Sequence, residues 1–272
     1  MKFKNTVKDF GDEWEKFDNE NLDPRELKKI FDSYFYIFPK EKLSKKNVGI
    51  DLGSGTGRWA KLVAPKVKKL YLLEPSKKAI EVSKRKLKSN TNIQFINYEI
   101  KDIDKTKKYF DFAYSLGVIH HLSYPEKAFK LIRARLKKNS PFLVYLYHNF
   151  EDNNYLYKFI WKFSEIFRKI ISKQNFLLKS VICDLIAIFL YFPLSKFSII
   201  FDKLGLNVDN FPLSYYRNKS FYVMRNDSLD RFGTKYEKRY SRSDINKLFK
   251  KAGFKKIKIS NRRPYWCAIG YK

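Results

Sequence analysis

A glycine-rich segment that follows an acidic residue is the part of this sequence best suited to binding a small molecule. The segment reads GIDLGSGTGRWA and runs from Gly49 to Ala60. Asp51 lies at the end of an apolar run, and glycines follow at positions 53, 55 and 57. Glycine lets a ligand approach the backbone closely, and a turn from a strand into a helix presents backbone N–H groups. The spacing therefore predicts a nucleotide-like ligand at this turn.

Two common nucleotide-binding motifs do not fit this turn. A phosphate-binding loop ends in Gly-Lys-Ser or Gly-Lys-Thr, whereas Arg58 and Trp59 follow Gly57. The dinucleotide motif G-x-G-x-x-G needs its third glycine where the chain has Arg58. The pattern D-x-G-x-G-x-G suits S-adenosylmethionine (SAM), which has no pyrophosphate and carries a cationic ammonium group that Asp51 can face.

Acidic residues also follow the next two predicted strands. Glu74 ends the second strand in YLLEPS, where a carboxylate can accept hydrogen bonds from both ribose hydroxyls. Glu99 follows the third strand, where its side chain and the backbone amide of Ile100 can recognise an adenine edge. Because open α/β sheets bind ligands at the carboxyl ends of their strands, the three acids are expected at one ligand-binding edge.

Strand and helix patterns alternate between residues 47 and 150, which is typical of a parallel sheet covered on both faces. The predicted strands are 48–53, 69–74, 93–97, 110–115 and 141–147, and the predicted helices are 57–64, 76–88 and 124–138. After residue 150 the alternation stops. Helical patterns then cover 152–172 and 176–200, and 205–235 is expected to be rich in loops. A helix ending at Gly253 and two strands, KIKIS and YWCAIGY, complete the chain.

Several predicted helices begin with capping signals. Asp23 precedes Pro24 at the start of an aromatic helix that extends to about Phe38. Ser76 begins the helix over 76–88, and Ser123 with Glu126 predicts a capping box at the start of 124–138.

At these residues the chain resembles the class I SAM-dependent methyltransferases, in the branch of quinone-biosynthesis and small-molecule O-methyltransferases. The matching segments are GIDLGSGTGRWA, LLEPS, FDFAYSLGVIHHLSYPEKAF, LIRARLKKNSPFLVYLY and SRSDINKLFKKAGF. The resemblance implies an α/β, Rossmann-like fold with a seven-stranded, mostly parallel sheet of order 3-2-1-4-5-7-6. Three domains are expected. An N-terminal helical cap covers 1–46, and a SAM-binding methyltransferase domain covers 47–150 and 240–272. A helical insertion that forms a substrate lid covers 151–239.

The resemblance also implies a set of cofactor-binding residues. It assigns to the cofactor Asp51, Gly53, Gly55, Glu74, Glu99 and Ile100. Ser54, Gly57, Pro75 and Ser115 complete the predicted site. The family usually has aspartate where this chain has Glu99, so the extra methylene weakens that assignment. The aromatic residues Phe10, Trp14 and Phe17 are expected to fold over the cofactor side, with ordinary core packing as the alternative.

Three histidines are the candidates for acid–base chemistry. Methyl transfer from a sulfonium is an in-line displacement in which positioning supplies much of the acceleration. A neutral hydroxyl acceptor also needs a base, and histidine suits that task near neutral pH. His120 and His121 follow the fourth strand and His148 follows the fifth, so all three are expected at the active edge. The alternative is that the histidine pair only shapes its loop.

Arginines in the insertion are the candidate substrate-binding residues. Arg217, Arg225 and Arg231 stand among aromatic residues, and guanidinium groups there could bind a carboxylate or phosphate on the acceptor. A network of these arginines with Asp227 and Asp230 that holds the lid together is the equally weighted alternative.

The net charge of +29, from Lys+Arg 57 against Asp+Glu 28, leaves the class of acceptor open. A small molecule, a sugar or a lipid-linked intermediate methylated on a hydroxyl is the first hypothesis. An RNA or protein methyltransferase is the second, although a lysine-rich solvated surface also explains the charge, and a non-catalytic SAM-binding protein is the third. The fourth strand ends in SLGV, which differs from the Asn/Asp-Pro-Pro-aromatic loop of enzymes that methylate amino groups of nucleic acids.

The remaining features concern location and metals. Cys183 and Cys267 lie far apart in apolar surroundings, so no metal site is expected and both are interpreted as reduced core thiols of a cytoplasmic protein. The N-terminus lacks the pattern of a signal peptide. The most hydrophobic segment, 180–195, contains Asp184 and Pro193 and is predicted to be a buried helix rather than a membrane span. Shallow contact with the inner membrane face stays open.

Overall fold

The computed structural model describes residues 11–18, 20, 22–151, 155–208, 211–262, 264 and 266–272. They form two compact units. The first, called here the sheet unit, contains the described residues within 1–20, 27–149 and 237–272. The second, called the helical unit, contains those within 21–26 and 150–236.

The sheet unit is built on seven strands in the order β3-β2-β1-β4-β5-β7-β6. The strands are β1 (Val48–Leu52), β2 (Lys69–Leu73), β3 (Ile93–Ile96), β4 (Phe112–Leu116), β5 (Pro141–Tyr145), β6 (Lys255–Ile259) and β7 (Cys267–Tyr271). The first five strands pair in parallel, and β7 pairs antiparallel with β5 and with β6. The predicted fold and strand order are confirmed.

Six described helices accompany the sheet. They are α1 (11–16), α2 (Pro24–Tyr34), α3 (Ala60–Val63), α4 (Lys77–Lys86), α5 (Pro125–Ala134) and α10 (Arg242–Lys251). Ser76 caps α4 by accepting a hydrogen bond from the Ala79 N–H, and Ser241 with Asp244 forms a capping box on α10. The capping box predicted for α5 is wrong. Tyr124 is the N-cap, and its side chain makes no capping bond.

Aromatic side chains join α5 and α10 to the sheet. The Phe129 ring lies 5.3 Å from that of Phe142 on β5 and 4.9 Å from that of Phe249 on α10. Phe254, just before β6, closes the cluster at 5.2 Å from Phe249. Burying a phenylalanine side chain stabilises a fold by about 1.5–3 kcal/mol. The two segments 124–136 and 241–254, distant in sequence, are therefore fixed to one core.

The helical unit contains α6 (Tyr155–Ile171), α7 (Phe176–Ile186), a π-helical turn (Ala187–Tyr191), α8 (Phe192–Lys203) and α9 (Phe221–Gly233). Helix α9 lies in the segment predicted to be loop-rich, so that prediction is wrong. Ser220 caps it by accepting from the Val223 N–H. Its run Asn226-Asp227-Ser228 has modest helix propensity, and burial of Met224 and Leu229 overrides that local preference.

The segment predicted to be a buried helix is buried on one side only. Among the described residues, Phe176–Lys203 is one helical stretch long and apolar enough to cross a membrane by length and composition, which alone is weak evidence. The side chains it buries include Ser180, Cys183 and Ser195, whereas large ones such as Leu185 and Phe189 are exposed. Tyr191 is buried as predicted, but the prediction of a buried helix is wrong for Val181, Leu185, Ile188, Phe189, Leu190 and Phe192.

Candidate cofactor and acceptor site

The carboxyl edge of the sheet brings two acidic residues together. β1 and β2 pair in parallel with Leu52 opposite Leu73, so Asp51 and Glu74 both lie at this edge. Asp51 also stands opposite Tyr114 on β4. Parallel strands end on the same side of a sheet, which is why residues 23 positions apart can share one site.

Asp51 is a buried carboxyl group with an unused acceptor. Its side chain is 1% exposed, and its Oδ2 accepts no hydrogen bond from the residues that the structure describes. Burial raises the pKa of Asp51 well above its usual range, and the negative charge of Glu74 raises it further. The nearby Tyr114 hydroxyl lowers that pKa to a smaller extent. This hydroxyl makes no hydrogen bond with the residues that the structure describes. A cationic ligand group would stabilise the ionised form.

Glu74 is held in place by the backbone of the glycine turn. Its Oε2 accepts the Gly55 N–H at 3.0 Å, and its Oε1 accepts the Ser76 N–H at 2.9 Å. Burial raises the pKa of Glu74 to about 7, although both of these hydrogen bonds act to lower it. A carboxylate oxygen has more than one lone pair, so each oxygen can still accept a hydroxyl.

The glycine turn has the backbone conformation that its sequence requires. Gly53 and Gly55 have φ of 76° and 52°, which residues with a side chain rarely adopt. A Cβ on Gly53 would lie 2.6 Å from Val118, and one on Gly55 would lie 3.2 Å from the Trp14 ring. A Cβ on Gly57 would meet Leu87 at 2.6 Å, which gives that glycine a packing role beside α4.

Helix α1 lies against this turn, as the sequence predicted for its aromatic residues. Trp14 faces Gly55, and Phe17 is buried. Asp12 and Glu15 hold the helix to Lys78 on α4 at 2.7 and 2.9 Å. Phe10, the third predicted aromatic, lies outside the described residues.

The other predicted cofactor residues occupy different positions. The Ser115 hydroxyl is buried and donates to the Leu52 carbonyl at 2.9 Å, so it joins β1 to β4. Ser54 and Ile100 are buried, and Pro75 is half-buried. Glu99 follows β3 and its Oε2 pairs with Lys101 at 2.8 Å. The adenine-binding role assigned to Glu99 and Ile100 stays a prediction.

His120 and His121 lie in a buried turn directly after β4. The His120 ring stacks on Tyr147 at 3.7 Å and lies 4.1 Å from the His121 ring. His120 is fully buried, and neither of its ring nitrogens has a hydrogen-bond partner among the described residues. Burial lowers its pKa well below the usual range, and His121 and Arg239 lower it further. The His120 imidazole is therefore neutral at neutral pH.

A short segment from the end of the chain completes this side of the edge. The Lys238 N–H donates to the His120 carbonyl, and the Tyr240 N–H donates to the Tyr147 carbonyl. Arg239 lies over the Tyr147 ring at 5.2 Å and pairs with buried Glu237 at 2.7 Å. The segment thus places a guanidinium group beside the neutral imidazole of His120.

His148, the third predicted histidine, has different surroundings. It is half-buried, and its ring lies edge-on to Trp266 at 6.0 Å. Its backbone carbonyl accepts a hydrogen bond from Arg239 at 3.2 Å. The structure therefore brings His120 and His121 together in one buried pair, with His148 on the neighbouring strand end.

The three predicted substrate-binding arginines belong to the helical unit, where each makes an ion pair. Arg217 pairs with Asp202 at 3.2 Å, Arg225 with Asp184 at 2.9 Å, and Arg231 with Glu165 at 2.6 Å. These ion pairs form a network within the unit in which Asp202, Asp184 and Glu165 take part. The part predicted for Asp227 and Asp230 stays a prediction. Contact of these arginines with substrate stays a prediction.

The residues at the sheet edge fit SAM. The cofactor carries a cationic ammonium group, and the unused Oδ2 of Asp51 can receive it in a buried position. Each carboxylate oxygen of Glu74 accepts one backbone N–H and keeps a lone pair for a ribose hydroxyl, and Gly53 and Gly55 turn the backbone at positive φ beside it. Among the described residues, no group of His, Cys, Asp and Glu side chains is placed to hold a metal ion.

This sheet order, with acidic residues after β1 and β2 beside a glycine turn, defines a class I SAM-dependent methyltransferase. The chain belongs to the methyltransferase-domain family, whose sequence profile matches residues 21–210. The family implies SAM as the methyl donor. The quinone-biosynthesis branch stays a prediction. No curated protein sequence matches the chain at a significant level.

Several solved structures are similar to the chain. A Nostoc punctiforme protein assigned as an O-methyltransferase is 13% identical with a TM-score of 0.50, covering 89% of this chain and 57% of that one. A Bacillus halodurans protein assigned as a methyltransferase is 14% identical with a TM-score of 0.49, over 85% and 72% of the two chains. The N-methyltransferase NodS of Bradyrhizobium japonicum, in complex with S-adenosylhomocysteine, is 18% identical with a TM-score of 0.43, over 52% and 72%.

The pKa of Glu74 predicts how cofactor binding depends on pH. Because that pKa is about 7, the ligand-free carboxyl group is largely protonated at pH 6 and ionised at pH 8. The ionised form is the better acceptor for ribose hydroxyls. The affinity for S-adenosylhomocysteine is therefore expected to fall by up to about tenfold per pH unit below 7 and to level off above about 8. Calorimetric titration between these pH values measures it.

A glutamine at position 74 is the control. It keeps the shape and one acceptor oxygen, so Glu74→Gln should bind more weakly and lose the pH dependence near 7. The same pKa shift predicts that the free energy of unfolding of the ligand-free protein decreases from pH 4.5 to about 7. Over this range the folded state binds the proton more tightly than the unfolded state. A wild-type affinity that is constant from pH 6 to 8 would contradict the assignment.

Proposed function

We propose that the protein transfers a methyl group from SAM to a hydroxyl group of a small-molecule, sugar or lipid-linked acceptor. One observation carries the choice of a hydroxyl. His120 is a buried, neutral imidazole without a hydrogen-bond partner among the described residues, and it follows β4, the strand next to β1. A hydroxyl acceptor must lose a proton as it is methylated, and a neutral imidazole can accept one.

The residues proposed to hold the cofactor are those at the ends of β1 and β2. Asp51 would face the ammonium group, Glu74 the ribose hydroxyls, and the backbone from Gly53 to Gly55 the adenosine. When bound, SAM supplies a methyl group activated by its positive sulfur. Helix α1, with Trp14 against Gly55, would exclude water from the turn.

The acceptor side is proposed to work by positioning and proton removal. A ring nitrogen of His120 would accept the hydroxyl proton as the oxygen is methylated. Its lowered pKa keeps the imidazole neutral at neutral pH and also makes it a weaker base than a free histidine, so its contribution would depend on contact with the hydroxyl. The Arg239 guanidinium over Tyr147 would attract an acceptor that carries negative charge. His121 and His148 stay alternative bases, and substrate binding by Arg217, Arg225 and Arg231 stays part of the proposal.

The proposed location is the cytoplasm, with the acceptor reached either in solution or at the inner membrane face. No metal takes part in the proposed chemistry. A nucleic acid is the alternative acceptor that the +29 charge would favour. An affinity for tRNA that survives physiological salt would support that alternative, because phosphate contacts weaken steeply with salt.

Transfer of a radioactive methyl group from SAM tests the proposed function. The acceptors would be catechols, sugar nucleotides and polyprenol-linked sugars, with tRNA and a basic protein as contrasts. Label recovered as an alkali-stable ether on one of the first three supports the proposal. Label only in RNA or protein would replace it, and tight S-adenosylhomocysteine binding without transfer to any acceptor would point to a non-catalytic binding protein.

Replacing His120 by alanine is expected to lower kcat about 100-fold or more while leaving S-adenosylhomocysteine affinity within about threefold, since a positioned base contributes about 10²–10⁴ in rate. His148→Ala is the matched control and should lower kcat less than tenfold. Thermal unfolding of both variants checks that the buried site is intact. Equal losses in the two variants, or a loss of binding in His120→Ala, would remove His120 as the base.

A further inference from the structure

The helical unit exposes many large apolar side chains on α6 and on 176–203, whereas most of the side chains that 176–203 buries are small or polar. Between Phe176 and Lys203 the buried positions include Ser180, Cys183, Ala187, Ser195 and Ser198. The exposed positions include Leu177, Val181, Leu185, Ile188, Phe189, Leu190, Phe192, Phe197 and Ile200. Leu177 and Phe189 are 77% and 74% exposed. Helices of water-soluble domains bury their large apolar residues. Helices in lipid typically have small residues where they contact another helix and large apolar residues on the outside.

The buried side of this stretch packs on α9 through polar contacts. The Ser228 hydroxyl donates to the Cys183 carbonyl at 2.8 Å, and buried Lys179 donates to the Gly233 carbonyl at 3.3 Å. Close approach of the two helices needs small side chains, which the sequence supplies. The large side chains therefore remain on the surface away from α9.

Helix α6 continues the same pattern. Its exposed apolar residues are Tyr155, Leu156, Phe159, Ile160, Phe163, Ile166, Phe167 and Ile170. At 3.6 residues per turn they cover an arc of about 140° on the helix surface. Of its two buried residues, Ile171 lies next to one edge of this arc and Arg168 lies on the other side, where it donates to the Thr234 carbonyl. We call the exposed side chains of α6 and of 176–206 the apolar face.

The charges around the apolar face are mostly positive. Between residues 155 and 208 the exposed charged side chains are Lys162, Lys169, Lys173, Lys196, Lys203 and Asp202. The one acid among them, Asp202, pairs with Arg217. On α6 the lysines at 162 and 169 fall at one edge of the apolar arc, where a long side chain can extend to a charged surface. Apolar residues edged by lysine are the composition of helices that lie in the interface of anionic membranes.

We propose that the apolar face docks the protein on an anionic phospholipid bilayer, with α6, α7 and α8 lying in the plane of the interface. An isolated apolar face of this extent is rare on a soluble monomer and marks an interaction surface. The lysines complement anionic headgroups, whereas a second copy of this chain would bring like charges together across the face. The inference concerns where the protein lies and holds for any acceptor.

An in-plane orientation agrees better with the charges than a membrane span. The stretch Phe176–Lys203 has the length to cross a bilayer. In that orientation, however, the partly exposed Asp184–Arg225 ion pair would lie within the hydrocarbon, where charged groups are costly. Exposed Lys196 would also be drawn below the headgroups. Lying in the plane keeps all three groups near water.

Flotation of the full chain with lipid vesicles tests the docking. The protein is expected to float with vesicles of phosphatidylglycerol and phosphatidylcholine and to float less with phosphatidylcholine alone. The double variant Leu177→Glu/Phe189→Glu should reduce the bound fraction at least tenfold, because both side chains would place a charge in the acyl region. Both positions are exposed, so the variant should fold as wild type does.

A charge-matched variant in the sheet unit is the control. Tyr36 and Tyr109 are 52% and 57% exposed there, and Tyr36→Glu/Tyr109→Glu should float like wild type. Wild type that stays unbound, or a Leu177→Glu/Phe189→Glu variant that floats equally, would overturn the proposal. So would a stable wild-type dimer, seen by light scattering, that the same variant dissociates. S-adenosylhomocysteine affinity, measured in parallel, reports separately on the proposed enzymatic function.

Discussion

Replacing Asp51 by asparagine is expected to weaken S-adenosylhomocysteine binding about 100-fold, measured by isothermal titration calorimetry at pH 7.5. Asparagine keeps the shape of the side chain but cannot provide a negative charge opposite the ligand's ammonium group. A hydrogen-bonded charge in a buried site contributes about 1.5–3 kcal/mol, and about 2.8 kcal/mol corresponds to a 100-fold change in affinity. The side chain is 1% exposed, so solvent does not screen this interaction.

The same substitution should not destabilise the ligand-free protein. Burial raises the pKa of Asp51 well above its usual range, so the ionised carboxylate is unfavourable in the ligand-free fold. An amide removes that cost, and the melting temperature should stay equal or increase. A substitution that weakens S-adenosylhomocysteine binding without lowering the melting temperature is the result expected at a functional residue.

Asp111→Asn provides a matched control for Asp51→Asn. Asp111 accepts a hydrogen bond from the Val48 N–H at 2.8 Å and pairs with Lys137, at the opposite end of β1 and β4. Its replacement should lower stability modestly and leave S-adenosylhomocysteine affinity unchanged. If Asp51→Asn binds S-adenosylhomocysteine like wild type, the glycine turn holds a different ligand. NAD is then the first alternative to titrate.

The two acids at the sheet edge could be placed from sequence because their positions follow from local patterns. Asp51 and Glu74 each end a near-continuous apolar strand, and parallel strands end at one edge. The role of Tyr114 could not be predicted in this way. Its position opposite Asp51 depends on the pairing of β1 with β4, which are separated in the chain by two other strands.

The proposed acceptor side was harder to predict because one of its parts comes from a distant segment. His120, His121 and His148 were found as rare residues after strand ends. Glu237 and Arg239 were missed, since they follow the helical unit in sequence and reach the sheet edge only through backbone pairing with His120 and Tyr147. A signal was present in the run YEKRY, but charge and aromatic content alone do not identify its partners.

The helical unit shows what hydrophobic periodicity leaves undetermined about a helix. Periodicity identifies an apolar stripe but does not say whether protein or lipid covers it. In Phe176–Lys203 most residues are apolar, so the small residues at 180, 183, 187 and 195 determine which side packs on α9. The expectation of a buried helix assumed that water surrounds the unit.

Replacing Gly49 by alanine is expected to lower the free energy of unfolding by about 3 kcal/mol, near the upper end for overpacked cores. Gly49 lies on the central strand β1, and a Cβ there would be 2.0, 2.3 and 2.6 Å from three ring atoms of Phe112. The Phe112 ring is fully buried, 5.6 Å from Phe38 and 6.4 Å from Tyr114, so it has little room to move. Urea denaturation followed by circular dichroism measures the change.

A second substitution distinguishes this clash from the simple loss of a glycine. Phe112→Leu replaces the ring that the new methyl group would meet with a smaller side chain. It should therefore lower the free energy of unfolding less in the Gly49→Ala background than in the wild type, with a coupling energy of about 1 kcal/mol or more. Gly205→Ala is the control, because a Cβ there meets nothing within 4 Å although φ is 77°. It should cost about 1–2 kcal/mol from backbone strain alone. Strictly additive costs for Gly49→Ala and Phe112→Leu would mean that the strand, and not the ring, accommodates the methyl group.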